Sequence, residues 1–373
     1  LAKRKGKSTR RMQDWRKLLD HGAEQSDAPG PGRQRLAPKA VKLPPWREPH
    51  QANLQDLPRQ QGMVVGLFPG GAIVRHEGRE LLCGVAGTFR APDGTSALAV
   101  GDTVTVAMSR SQHANAGGDM DRADGMILAR DPRRTLLCRP QPRSAKRRDP
   151  YATESFEKVI AANMDVLLIV ASVRAPAIRP GVIDRFLIVA ERGGLEPLVA
   201  INKTDLAQPP EALVHDLRGR GVSVLPCSAV TGEGLGELLG ALAHRQSVLA
   251  GASGVGKSTL INALVPGAEA ATAAVRRADQ RGRHTTSGAA VYDLLCGGMV
   301  VDTPGVRELG VGLSASELPW YFPEFEPHAA GCRFNDCTHT HEPICAVRQA
   351  AEDGTIPRRR YFTYLRLLET LDD

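Results

Sequence analysis

Two short runs of residues have the types and spacing to handle a nucleotide. Gly251-Ala252-Ser253-Gly254-Val255-Gly256-Lys257-Ser258 fits the phosphate-loop pattern: glycines let backbone N–H groups turn onto phosphate oxygens, and the following helix adds the positive end of its dipole. Lys257 would reach the β- and γ-phosphates, Ser258 would ligate Mg²⁺, and Thr259 completes the nucleotide-binding run. Asn202-Lys203-Thr204-Asp205 follows the apolar run Leu198–Ile201. The Asp205 carboxylate can accept from the ring N–H and the exocyclic amine of guanine, an edge that adenine lacks, so the wrong base leaves a charge unpaired. The Lys203 stem can lie over the base, and Asn202 can tie this loop to the phosphate loop. Cys227-Ser228-Ala229 follows another apolar run, so Ser228 and Ala229 are placed on the other side of the base.

Asp302-Thr303-Pro304-Gly305, after Met299-Val300-Val301, supplies a third element. Asp302 would hold the Mg²⁺ shell through water and Gly305 would offer its N–H to the γ-phosphate. Between it and the phosphate loop runs Arg276 to Ser287, polar and loop-like, in which Thr285 or Thr286 would complete the Mg²⁺ shell. The next position holds Val306, which cannot orient water as the glutamine of many GTPases does. The order of the motifs is inverted, since most guanine-nucleotide domains begin with the phosphate loop. A circularly permuted GTPase explains that order.

Three of the seven cysteines fall in Cys332-x4-Cys337-x-His339-x5-Cys345, thiolates and an imidazole at the spacing of a closed tetrahedral Zn²⁺ set; His341 is the rival imidazole. Cys83, Cys138, Cys227 and Cys296 are scattered, and the sequence shows neither a signal peptide nor an apolar run of transmembrane length. A reducing, cytoplasmic setting without membrane attachment is the expectation.

Together these motifs resemble the ribosome small-subunit-dependent GTPases, the RsgA or YjeQ family. The resemblance runs from about Gly62 to the C-terminus and includes Gly282-Arg283-His284-Thr285-Thr286. It implies a GTPase that is slow alone, is stimulated by the small ribosomal subunit, and acts in its late maturation, contacting rRNA. It favours His339 over His341, through Cys337, His339, Glu342, Pro343 and Cys345, and points to His284 as the catalytic group beside Lys257. The competing role for His284 is to hold a loop conformation or contact rRNA.

These residues need a multidomain scaffold. Residues 1–58 read as a disordered basic tail: the first fifty hold thirteen Lys or Arg against five Asp or Glu, a balance of +8 in a chain of +7, so the remainder is close to neutral. Residues 59–130 show short β-like runs with turn signals, a small barrel that the family makes an OB-fold. With Phe68 and Phe89 its few aromatics, RNA binding by charge and shape is expected there. Residues 131–150 read as a basic linker, and 151–312 alternate strands and helices as a mostly parallel α/β sheet, the permuted GTPase domain. Residues 313–373 read as a helical zinc domain, with a Tyr361, Leu365, Leu368 stripe. The short path from Gly305 into it suggests that the nucleotide state sets the angle of the flanking domains. The expected partners are GTP or GDP and the small subunit, bound by a monomer. A GTP-regulated RNA-binding module with incidental hydrolysis is the alternative, and a P-loop phosphotransferase or ATPase is the other rival.

Overall fold

The computed structural model describes residues 57–68, 70–89, 91, 96–108, 123–140, 157–265, 267, 289–303, 306 and 310–371. The chain divides into two units, one spanning Pro44–Gly312 and the other including Leu313–Asp373. The basic tail up to residue 56 and the loop carrying His284, Thr285 and Thr286 lie outside the described residues, as does Gly305.

In the first unit, β1 (Arg59–Phe68), β2 (Gly71–His76), β3 (Arg79–Val85), β4 (Thr103–Met108) and β5 (Gly125–Arg130) close a barrel in the order β1-β2-β3-β5-β4. Alternate residues face inward, as the two-residue period of strands requires. Val64, Ala72, Val74, Cys83, Val104, Val106 and Ile127 fill the interior. All barrel pairs are antiparallel except β3 with β5, and this five-stranded closure is that of an OB-fold.

The chain then forms β6 (Leu136–Pro140) and β7 (Glu157–Ala162), an antiparallel pair. Part of the stretch read as a linker is therefore a strand. Its apolar run Leu136-Leu137-Cys138 is masked in sequence by the surrounding arginines, and Leu137 is fully buried. The pair anchors the barrel to the next domain. Ala162 N donates to Val100 O at 2.9 Å and Asn163 Nδ2 to Gly101 O at 3.0 Å. Buried Asp102 accepts from Arg133 Nε at 2.7 Å and Nη2 at 2.8 Å, and from Ala99 N at 2.7 Å.

Next comes a six-stranded sheet built from β8 (Val166–Ser172), β9 (Glu196–Asn202), β10 (Ser223–Pro226), β11 (Gln246–Ala250), β12 (Ala290–Asp293) and β13 (Met299–Asp302). Their order is β10-β9-β8-β11-β13-β12, and every pair is parallel except β12 with β13. β8 is buried along its whole length, as strands covered on both faces are. The helices Leu235–Leu242 and Lys257–Leu264 bring Leu238, Leu242, Leu260, Ile261 and Leu264 onto Leu168, Val170, Leu249 and Val300. The helix Pro180–Gly193 packs on β8 and β9, burying Ile183, Phe186 and Leu187. The sheet ends β9 at Asn202, β11 at Ala250 just before Gly251, and β13 at Asp302, so these positions share its C-terminal edge, where phosphates bind in open α/β sheets.

The C-terminal unit contains no strand among its described residues. Short turns at Leu318–Tyr321 and Pro323–Phe325 lead to the helices Ala346–Asp353 and Arg358–Glu369. Phe322, Phe325, Tyr361 and Tyr364 pack together in its core, Tyr364 meeting Phe322 and Phe325 edge to face while Phe322 and Phe325 stack on each other. The buried stripe of the last helix runs through Tyr361, Tyr364, Leu367 and Leu368, while Leu365 is only half-buried. No helix among the described residues is long and apolar enough to cross a membrane.

Candidate functional site

The phosphate loop leaves β11 through three glycines at positive φ: Gly251 at 142°, Gly254 at 80° and Gly256 at 94°. Only glycine adopts such angles without strain, and here it is also a matter of space. A Cβ on Gly256 would stand 2.5 Å from Asn202 Nδ2, and one on Gly251 would stand 2.3 Å from Val170 O. Val255 tucks into the core at 3% exposure and fixes the loop from below. Lys257 Nζ folds over the loop, donating to Gly251 O at 2.7 Å and Ala252 O at 2.6 Å. Ser258 and Thr259 are exposed in the first turn of the helix, and Ser253 and Gly254 are exposed in the loop.

Asn202 ends β9 and joins three segments. Its Nδ2 donates to Val255 O at 3.0 Å, and its Oδ1 accepts from Ala229 N at 3.0 Å. One buried side chain thus sets the distance between the phosphate loop and the loop after β10. Thr204 N donates to Cys227 O at 3.2 Å, and Ser228 Oγ donates to Asp205 Oδ1 at 2.5 Å. Ser228 is fully buried and Asp205 exposed, so the hydroxyl aims the carboxylate outward. Burial pushes the Cys227 thiol up to about 11, keeping it neutral beside this loop. Lys203, at φ 67°, stretches across the mouth, with Nζ donating to Gly254 O at 2.7 Å and to Ala175 O.

That last contact shows a segment the motifs did not reveal. The loop after β8 is held by Ser172 Oγ donating to Pro176 O at 2.7 Å, and with Ala252, Ser253 and Val255 it lines a cleft of about 190 Å³. The available signal was positional: it follows a parallel strand, and such loops gather at one edge of the sheet. Asp302 ends β13 in register with Leu249, two residues before the phosphate loop opens. Val306 is buried at 2% exposure and its N donates to Thr303 O at 3.4 Å. The structure brings Asn202, Lys203, Thr204, Asp205, Ser228, Ala229 and Gly251 to Ser258 to one edge, with Asp302 on the neighbouring strand.

A second cluster lies in the C-terminal unit. The ligand atoms of Cys332, Cys337, His339 and Cys345 all lie within 4.8 Å of one another. Cys332 Sγ is 3.9 Å from Cys345 Sγ, and both stand 3.6 Å from His339 Nδ1. Sulfurs bound tetrahedrally at the usual zinc–thiolate length would be about 3.8 Å apart, so the set fits such an ion. His341 lies outside the cluster, exposed, its ring bonded to Thr340. Burial lowers the pKa of His339 and favours the neutral imidazole that ligation requires. Burial alone would raise the Glu342 carboxyl, but the Thr338 hydroxyl and amide, with further backbone amides, outweigh it and bring it to about 2. As an anion Glu342 holds together the turn that presents His339. Tyr361 and Tyr364 add hydroxyl bonds to the His339 and Thr338 carbonyls at 2.7 Å and 2.6 Å.

A family model described as RsgA GTPase matches residues 131–312. The "Small ribosomal subunit biogenesis GTPase RsgA" of Gemmatimonas aurantiaca is 43% identical over 281 residues, covering 74% of this chain and 86% of that one. The chain belongs to the RsgA GTPase family. The RsgA of Shewanella oneidensis is 36% identical over 323 residues, 85% of each chain. Among solved structures, YjeQ from Thermotoga maritima superposes with a TM-score of 0.60 at 30% identity, over 84% of this chain and 98% of that one. YloQ, described as a circularly permuted GTPase, shares the fold with a TM-score of 0.58 at 24% identity, over 88% and 98%. The RsgA family member described here is thus a circularly permuted GTPase with an OB-fold barrel before the GTPase domain and a Cys3His metal-binding cluster after it.

Proposed function

We propose that this GTPase binds the small ribosomal subunit and hydrolyses GTP to act in its late maturation, the subunit stimulating turnover. The observation that supports this reading is the Asn202 bridge, which ties the turn leading to Asp205 to the loop of Val255 and to Ala229, in a chain whose relatives are named for small-subunit biogenesis. Asn202, Lys203, Thr204, Asp205, Ser228 and Ala229 take the base. Gly251 to Thr259 and Gly305 take the phosphates.

Mg²⁺ accompanies the nucleotide, held by Ser258, by Thr285 or Thr286, and through water by Asp302; it would neutralise charge on the phosphate oxygens. A structural zinc occupies Cys332, Cys337, His339 and Cys345, where four ligands leave no open position for chemistry. The rRNA contacts fall to the basic tail 1–58, the barrel 59–130 and the basic segment 131–150 before the GTPase domain 151–312, and to the zinc domain 313–373 after it, with its basic run Arg358-Arg359-Arg360. A buried Val306 where many GTPases carry glutamine favours one second reading, an RNA-binding module gated by GTP with incidental hydrolysis.

The test is GTP and ATP hydrolysis by the purified protein, alone and with small subunits, large subunits or free RNA. GTP-selective stimulation by small subunits alone supports the proposal. Single-turnover hydrolysis that small subunits leave unchanged supports the gated module instead.

A further inference from the structure

The end of β13 holds a buried hydroxyl that the residue roles above do not use. Thr303 is 5% exposed, and among the described residues no group forms a hydrogen bond with its Oγ1. A buried hydroxyl without a partner is costly, and natural proteins keep one where strain, a water or a ligand accounts for it. Two side-chain hydroxyls among the described residues are in this position. Ser247 lies at the start of β11, paired with Val166 and Val300 inside the sheet. Thr303 lies at the other end, next to Asp302, whose register partner Leu249 leads through Ala250 into the phosphate loop.

Position separates the two. Ser247 is far along the strand from any group that binds phosphate, whereas Thr303 stands between the proposed magnesium residue Asp302 and the proposed γ-phosphate donor Gly305. Its backbone is anchored, because its carbonyl accepts from Val306 N.

Resting on the nucleotide reading above, we infer that Thr303 reads the γ-phosphate. A water held in the hydration shell of the magnesium–triphosphate group pairs with Thr303 Oγ1, and the diphosphate, which lacks the oxygens that hold this water, leaves the hydroxyl unpaired. A bridging water needs two to four polar partners, and this hydroxyl, the Asp302 carboxylate and a phosphate oxygen would meet that number. Thr303 is then a positioning residue that favours the triphosphate over the diphosphate through that water.

Thr303→Val keeps the shape and removes the hydroxyl. Without nucleotide its melting temperature should equal or exceed that of the wild type, since replacing an unpaired buried hydroxyl by a methyl group is neutral or stabilising. Its affinity for GDP should stay within about twofold, while that for a non-hydrolysable GTP analogue with Mg²⁺ should fall roughly tenfold, about 1.4 kcal/mol. Thr303→Ser should restore the wild-type ratio. A Thr303→Val protein with the wild-type ratio of the two affinities overturns the inference. So does one that melts well below the wild type without nucleotide or does not fold, because the hydroxyl would then have a structural partner. Wild-type protein that binds neither nucleotide would instead defeat the nucleotide reading itself.

Discussion

At the scale of single residues, the proposed base site is a set of directed polar groups. Ser228 spends its proton on Asp205, leaving the rest of the carboxylate to accept from a ligand that offers two adjacent N–H donors. Guanine offers that edge. Asp205→Asn replaces one acceptor by an amide donor, which faces the guanine amine but matches the 2-oxo group of xanthine. We expect its GTP affinity to fall at least about 100-fold, with xanthosine triphosphate binding better than GTP. Competition binding of the two triphosphates measures this, and an unchanged preference for GTP would remove Asp205 from the base site. The nucleophile raises a different problem, because Val306 is buried and cannot hydrogen-bond to water. His284→Ala should therefore keep GTP affinity within a few-fold and lower subunit-stimulated turnover by an order of magnitude or more. Stimulated turnover at the wild-type rate would exclude His284 from the reaction.

At the scale of elements, what the sequence made legible depended on how local the signal was. The phosphate loop, the Asn202 to Asp205 turn and the Cys/His set are contiguous or nearly so, and each needs a particular residue at a fixed offset. Strands β8, β9, β11 and β13 stood out as apolar runs because both faces are covered. β5 and β6 did not: β5 alternates half-buried residues and closes the barrel through a parallel pairing with β3, and β6 lies among arginines. Asp102 and its arginine partners were equally hidden, since Asp102 and Arg133 meet only after the barrel closes. The metal cluster leads to a sharper expectation. The C-terminal unit has a small core of four aromatic rings and a few aliphatic side chains such as Leu318, Val347 and Ile356, whereas structural zinc contributes on the order of 10 kcal/mol, about the whole stability of a typical domain. Cys345→Ser, or removal of zinc by a strong chelator, should abolish the near-ultraviolet circular dichroism of Tyr361 and Tyr364 and leave nucleotide binding by the other unit in place. Retention of that signal in metal-free protein would show that the aromatic core stands without zinc.

At the scale of the molecule, charge and rigidity are unevenly distributed. The barrel and the GTPase sheet share one compact unit, and their junction includes a fully buried carboxylate held bidentately by Arg133. Breaking a buried pair costs about 3–5 kcal/mol, well above thermal energy, so a free swing of the barrel about this joint is not the way a nucleotide signal would travel. The expectation that the nucleotide state sets the angle of the flanking domains would require this joint to open on the barrel side. The positive charge lies elsewhere: the first fifty residues carry a balance of +8, against +7 for the whole chain. A chain segment of that balance gains affinity for RNA through release of counterions, and each phosphate it neutralises adds about 0.7 to 0.9 to the slope of log affinity against log salt. Removing residues 1–50 should lower that slope for small-subunit binding by about 3 or more, with affinity falling most at low salt, while GTP hydrolysis without subunits stays at the full-length rate. Binding measured from 50 to 200 mM salt decides between this and the alternative. Equal slopes for the full-length and shortened proteins would mean that the tail touches no phosphate and that the nearly neutral remainder of the chain finds the subunit by shape.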